Sequence, residues 1–479
     1  MATPPESSPP IPKNTLLENN SPINSEVVSS LGRTSPPEER LAAGKALRKQ
    51  VPRSAHSQWL PRSDRPDPVL LLEQSDYGRL PNLLPLRYER MAKSPFAFMR
   101  GAAMIMAQDL ATTPATGLEV QAMGDCHLLN FGAFATPERN LIFDINDADE
   151  TLPAPWEWDI KRLAVSVLVA GQDIRLSDRD SGAAILATVR SYRQHMEEFA
   201  GMTALQVWYS RLTVERIIEL SDRPNPKGTQ LFEAPKVVYH EASSILPEMT
   251  KLVNGQPRIV DKPPLVYHLE DDRTLLEIEK ALPQYRASLR DDVRVLFDRY
   301  HLVDLAMKVV GVGSVGTRCA VALFMAGEAD PLFLQIKEAR RSVLEPYSKP
   351  SVYDRHGQRI VTGQRIIQAA SDIFLGWMQG HDGHDFYGRQ LRDMKSSVNL
   401  DTLTARSFLE YGEFCGWALA RAHARSGDAA QISGYLGQGD VFEMAIAQFA
   451  AAYAIQNQQD YEALLDAIEA GRIPTTAGS

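Results

Sequence analysis

The chain has 479 residues, 44% hydrophobic and 23% charged, with 51 Lys+Arg against 60 Asp+Glu and a formal net charge of −9. This composition excludes collagen-like, wholly disordered and disulfide-scaffold proteins, and a net acidic chain without long basic runs is not built for general nucleic-acid binding. Cys126, Cys319 and Cys415 form no CxxC pair and no metal-ligand spacing, which fits reduced thiols in the cytoplasm.

Residues 1–37 hold eight prolines, seven serines and no aromatic residue. They cannot bury enough apolar area to offset the entropy of ordering, so a disordered tail is expected. Lys45, Arg48, Lys49 and Arg53 follow, read as a solvated helix face, and folded structure is expected from near Trp59. Ser94-Pro95 is a start signal for one uninterrupted helix over residues 96–110. Residues 118–123 alternate like a strand that breaks at Gly124, and residues 140–144 read as a second short strand. Long helices are predicted at 158–170 and 181–199, with helical patterning to about residue 300. Strands then follow at 308–310, 319–324 and 331–337, a short helix at 364–372, strands at 374–378 and 385–391, and a helix at 403–425. The longest apolar runs, residues 163–171 and 319–327, are half the about 20 residues a membrane-spanning helix needs. With no charged-then-apolar leader pattern either, a cytoplasmic protein without a membrane partner is expected.

Between the first two predicted strands lies Gly124-Asp125-Cys126-His127-Leu128-Leu129-Asn130, and Asp144 closes the second. Carboxylates and an amide on adjoining strand ends can converge as a magnesium phosphate site requires, because Mg²⁺ takes a few hard oxygen ligands and leaves the rest to water and phosphate. Asn130 and Asp144 are the candidate ligands, with Asp147 or Asp149 as alternative second ligands. Asp125 is the candidate acceptor of a hydroxyl proton, and His127 reads as a residue bracing the loop.

The second constellation is Gly311-Val312-Gly313-Ser314-Val315-Gly316. Glycines let backbone N–H groups approach a phosphate. A Rossmann unit would need a helix next and an acidic residue about 20 positions on; Glu328 and Asp330 stand near that distance, but the intervening run is short and β-branched. A kinase-type lid needs flanking strands and then a third strand with a lysine on the phosphates. Leu334-Gln335-Ile336-Lys337 matches that third strand. The glutamate such a lysine pairs with is not evident, with Glu345 and Gln368 the nearby polar residues.

Asp125-x-His127-x-x-Asn130, with Asp144 after a hydrophobic pair, resembles the catalytic and metal loops of aminoglycoside- and choline-kinase-like phosphotransferases, Met123 standing where those families carry a histidine. Trp158-Asp159-Ile160-Lys161-Arg162 is similar to their Asp-bearing helix under the catalytic loop, which implies a supporting role for Asp159. More widely, SPFAFMRGAA (94–103), MGDCHLLNFG (123–132), FDINDADET (143–151), PWEWDIKRLA (155–164), KVVGVGSVGTR (308–318), LQIKEA (334–339) and LARAHARSGD (419–428) together resemble a bacterial family, domain of unknown function family 2252, over about residues 40–455.

The kinase resemblance implies an α+β two-lobe fold, helix-rich with a small antiparallel sheet lobe. It also implies ATP and Mg as cofactors, and a nucleotide plus a small-molecule or protein hydroxyl acceptor as partners. Because the glycine loop and lysine follow the catalytic loop, the fold is expected to be circularly permuted, which closely spaced domain termini permit. The expected organisation is a tail and basic segment (1–58), a catalytic-loop lobe with a helical extension (59–300), a nucleotide-clamp lobe (301–395), helices returning to the catalytic lobe (396–472) and a short tail (473–479). Three other readings stay open: a pseudokinase-like nucleotide-binding module, a Rossmann-type dinucleotide-binding protein, and a metallophosphoesterase opening at Asp125-x-His127 with His381-Asp382-Gly383-His384 as its nearest second motif. The kinase-like reading expects Lys337 and Asp144 to face one cleft.

Overall fold

The computed structural model describes residues 35–221, 246–247, 249–268, 273–391 and 398–476. The tail expected to be disordered lies, up to residue 34, outside the described residues. Folded structure begins at helix α1 (Pro37–Leu47), earlier than Trp59. Lys45 and Lys49 are exposed, and the arginines of the basic segment are half-buried. Arg48 donates to the Tyr435 and Gly434 carbonyls at 2.8 and 2.6 Å, and Arg53 to the Leu436 carbonyl at 2.6 Å. These are terminal carbonyls of a C-terminal helix (Ala429–Leu436) that have no intrahelical partner, and the arginines satisfy them.

Short helices α2 (Pro68–Ser75), α3 (Leu84–Met91), α4 (Pro95–Gly101) and α5 (Ala103–Leu110) come next. The expected single helix over residues 96–110 is thus two. It breaks at Ala102 (φ −113°, ψ 32°), directly after Gly101, the weakest helix former in the run. Strand β1 (Glu119–Ala122) pairs antiparallel with β4 (Leu152–Pro155), while β2 (Phe131–Ala135) pairs with β3 (Leu141–Ile145), which also pairs with β5 (Leu212–Thr213). β2 escapes a sequence reading because Phe-Gly-Ala-Phe-Ala carries no β-branched residue. Helix α6 (Trp156–Asp173) is buried nearly all round, as a helix through the middle of a core must be. Against it pack α7 (Asp178–Ala200) and two helices from the far end of the chain, while the short α8 (Ala204–Tyr209) packs on one of those two and α9 (Val214–Ser221) on β3 and β5. One large apolar cluster joins Trp156, Leu163 and Val167 to Tyr192, Leu419 and Phe449.

The middle of the chain carries a two-stranded hairpin, β6 (Thr250–Val253) and β7 (Gln256–Ile259), then β8 (Val266–Tyr267), α10 (Arg273–Ser288), α11 (Asp291–Phe297) and β9 (His301–Lys308). After β10 (Cys319–Met325) and β11 (Pro331–Ala339) come α12 (His356–Ile367), β12 (Gly376–Gln379) and β13 (Asp385–Gln390). Six of these strands form one antiparallel sheet in the order β12-β13-β11-β10-β9-β8. Side chains alternate along β11, so its two faces differ. Leu332, Leu334 and Ile336 join Tyr285 of α10 and Phe386 of β13 in an apolar cluster. On the opposite face stand Gln335 and Lys337, paired in register with Arg389 and Tyr387 of β13. The strand expected at 308–310 ends at Lys308 and extends back to His301. The helix expected at 364–372 ends at Ile367, because the Gln368 side chain is held by the Ile145 carbonyl and the Ala369 N–H by Asp144.

The chain closes with α13 (Ala405–Ser426), α14 (Ala429–Leu436) and α15 (Val441–Glu469). The architecture is mixed α/β with small antiparallel sheets. Among the described residues, no helix is long and apolar enough to cross a membrane.

Candidate functional site

The loop from Met123 to Asn130 is held from below by one face of α6. Asp159, Arg162 and Ser166, spaced three and four apart, share that face. Asp159 accepts the backbone N–H groups of Met123 and Gly124 at 2.6 and 3.0 Å, and Ser166 Oγ accepts that of Leu128 at 3.1 Å. Arg162 donates through Nε to Asp125 Oδ1 at 2.9 Å, bonds the same oxygen through Nη2, and reaches the Met99 carbonyl at 3.0 Å. Asn130 Nδ2 donates to the Asp125 carbonyl at 2.9 Å, closing the turn. Gly124 sits at φ +84°, and a Cβ there would lie 2.7 Å from the Glu150 carbonyl oxygen, so only glycine lets this loop press against the acidic segment. A histidine does brace the loop, but from α13: His423 Nε2 lies 3.2 Å from Asp159 Oδ2 and its Nδ1 2.8 Å from the Tyr192 hydroxyl. Burial pushes the His127 pKa down to about 4, so its ring is neutral at physiological pH.

The acidic segment divides into two environments. Asp144 is fully buried, accepting from Arg421 Nη2 at 2.7 Å and from the Ala369 N–H at 2.6 Å. It does not line the cleft that Lys337 lines, contrary to expectation. Asp147 and Asp149 meet Lys337 instead: Nζ lies 3.2 and 3.1 Å from the two Asp147 oxygens and 3.0 Å from Asp149 Oδ2. Burial alone would lower the Lys337 pKa, but the two carboxylates overcome it and hold the ammonium well above its ordinary range. Burial, then the charge of Asp147, push the Asp149 carboxyl up.

These aspartates are the partners the sequence did not reveal for Lys337. Glu345 pairs with Arg341, and Gln368 serves the Ile145 carbonyl. Three more side chains fix the segment: the Tyr387 hydroxyl donates to Asp149 Oδ1, Arg389 to the Asn146 carbonyl at 2.8 Å, and Arg359 of α12 to the Asp149 carbonyl at 3.0 Å. None of the three was among the expected site residues. Their one signal is polarity at positions where strand or helix pattern demands apolar burial.

A cleft of about 770 Å³ runs between the two halves, lined by Asp125, His127, Asn130, Asp147, Asp149, Lys337, Gly311, Gly313 and Ser314. Gly316 is not part of its wall and packs against Arg79. The glycine turn is pinned from behind, Arg79 donating to the Gly313 carbonyl at 3.0 Å and also to Val315, and Arg90 to Val310. With several carbonyls turned to arginines, this wall of the cleft is rigid. A second cavity of about 390 Å³ shares Asn146, Gln335 and Arg389 with the cleft.

The turn is followed by β10, antiparallel to β9, so the parallel strand–helix–strand unit of a dinucleotide fold is not formed and that reading is set aside. Among the described residues, no group of three His, Cys, Asp or Glu side chains is placed to cage a metal ion, as a dinuclear phosphoesterase would need. His384, part of that reading's second motif, lies beside Glu277 at 3.5 Å. No curated protein and no solved structure matches the chain. A family model described as "Uncharacterized protein conserved in bacteria (DUF2252)" matches residues 79–467, and the chain belongs to that bacterial family.

Proposed function

We propose that the protein is an ATP- and magnesium-dependent phosphotransferase with a permuted kinase-like arrangement, acting on a hydroxyl acceptor. The observation that carries this reading is the meeting of Lys337 with Asp147 and Asp149, 190 and 188 residues away in the chain, in a cleft that Asp125, Asn130 and the glycine turn also line. The sheet supports it as well: the glycine turn joins two antiparallel strands, the lysine stands on the next, and a helix follows before the last two.

Each residue has a role that its environment suits. Asp125 has Oδ1 fixed by Arg162, which leaves Oδ2 to orient the acceptor hydroxyl and take its proton. Lys337 is held by Asp149 and can reach a phosphate from there, so Asp149 does the work usually given to a helix glutamate. The backbone of Gly311, Gly313 and Ser314 covers the triphosphate. The donor set fits a hard dication: with the Asn130 nitrogen committed to the Asp125 carbonyl, its Oδ1 is the atom left to serve a metal beside Asp147. Mg²⁺ held there would neutralise charge on the phosphates.

Replacing Asp125 separates binding from chemistry. Asp125→Asn is expected to lower ATP turnover by at least about a hundredfold, the scale of general-base catalysis, while the affinity for a nonhydrolysable ATP analogue changes less than about threefold. Turnover at the wild-type rate in that variant would remove Asp125 from the mechanism.

A further inference from the structure

Part of the cleft wall is built by α2, α4, α5 and the segment after β11. Arg100 of α4 is the telling residue there. It lines the cleft, its Nε is buried, and no acceptor among the described residues is bonded to its guanidinium. Its Cζ lies 5.9 Å from the Phe96 ring centroid. The side chain is half-buried, and a buried guanidinium nitrogen without a partner is a place that a ligand can complete. Burial holds its pKa below the usual arginine range, with the charge of Asp125 acting in the opposite direction. The backbone next to Arg100 is tied to Asp125, because Arg162 bridges Asp125 and the carbonyl of the preceding Met99.

The rest of that wall has the same sign. Arg79 and Arg340 bond backbone carbonyls of Ser75 and Tyr77, and of the glycine turn, so these contacts leave their charge unneutralised. Asp76 lies 4.0 Å from Arg79 but is already bonded by Arg87. Burial pushes the Glu150 carboxyl toward its neutral form. Lys337, by contrast, is balanced by its two aspartates. The field around Arg100 therefore favours an anion and disfavours a cationic acceptor.

We infer that the acceptor is an anionic hydroxyl compound, a phosphate ester or a carboxylate, whose negative group seats on the Arg100 guanidinium while its hydroxyl meets Asp125. This rests on the proposed phosphotransfer. The acceptor oxygen forms the new bond to the γ-phosphorus as the bond from that phosphorus to the ADP oxygen breaks, ADP leaves with the electron pair, and the hydroxyl proton passes to Asp125.

The test is equilibrium binding to the full-length protein saturated with Mg²⁺ and a nonhydrolysable ATP analogue, whose own affinity is measured first. Glycerol phosphate, glycerate and glycerol serve as probes, the first two separating phosphate from carboxylate. At least one anionic probe is expected to bind and glycerol not to. Arg100→Gln is expected to weaken the anionic probe by at least about tenfold, the scale of one charge-assisted bidentate contact. Arg100→Lys should restore part of that loss, and analogue affinity should stay unchanged in both variants. The inference is overturned if neither anion binds, if glycerol binds as well as they do, if Arg100→Gln leaves anion binding intact, or if it weakens the analogue instead. Failure of the wild-type protein to bind the analogue would refute the phosphotransfer reading, and anion binding at Arg100 can still be measured on that protein.

Discussion

Asp144 gives one carboxylate oxygen to Arg421 and the other to the Ala369 N–H, with no exposed surface, whereas the Asp147 side chain is 30% exposed and faces the cleft. The two aspartates therefore answer differently to substitution. Removing one member of a buried ion pair strands the other charge and costs about 3–5 kcal/mol. Asp144→Ala is expected to lower the unfolding midpoint in denaturant accordingly. Asp147→Asn, which leaves Lys337 paired with Asp149, is expected to lower that midpoint less while weakening magnesium-dependent binding of an ATP analogue by at least about tenfold. If instead Asp144→Ala folds normally and loses the magnesium dependence, the ligand assignment reverts to Asp144. The side chains that position the site (Arg162, His423, Tyr387, Arg389) are polar residues on largely buried elements. A sequence displays their polarity but not the distant loop that satisfies it.

At the scale of elements, α1 and α14 cross with their backbones in contact. A Cβ on Gly434 would lie 2.1 Å from the Leu41 carbonyl oxygen, and one on Gly44 would lie 1.9 Å from that of Gln431. The approach lets Arg48 reach the α14 carbonyls and Arg40 reach Asp428 at 2.9 Å. Gly434→Val is expected to drive the helices apart and destabilise the protein by about 1–3 kcal/mol, as overpacking does. Limited proteolysis should then cut between residues 37 and 57 faster than in the wild type, with nucleotide-analogue affinity unchanged. An unaltered cleavage pattern would contradict this docking. Long helices and the β10–β11 pair were legible because their periodicity is strong over many residues. α1 was not, because its docking relies on backbone contact and arginine bonds rather than on an apolar stripe.

For the whole molecule, buried histidines set part of the response to acid. His56 has no exposed surface, lies 2.7 Å from the Tyr435 hydroxyl and is lowered by burial to about 3; His127 is lowered to about 4. The unfolded chain binds a proton at each near pH 6.5 while the folded chain does not, so stability present above that pH is lost as pH falls toward 4. At pH 5 the loss is about 2 kcal/mol per histidine. Asp149 and Glu150, raised by burial, act in the opposite sense, since the folded state holds their protons more tightly. The difference between wild type and His56→Gln isolates the histidine contribution. The variant is expected to lose about 2 kcal/mol less than wild type between pH 7.5 and pH 5 in denaturant titrations, and an equal loss in both would show that His56 is not held neutral.

Local order along the chain indicated many of the strands and helices and which loops concentrate Asp, Asn and Gly, because those properties follow from side-chain periodicity and turn chemistry within a few residues. It also marked Asp125, Asn130 and Lys337 as residues worth weighing through their spacing, and the kinase resemblance marked Asp159. Only the folded chain decided which acid meets the lysine. Asp144 and Asp147 stand three positions apart in the same acidic run, and the choice between core and cleft depends on Arg421 and Lys337, which arrive from elements far along the chain. Electrostatic pairing of buried charges is a property of three-dimensional proximity, and a linear pattern carries no record of it.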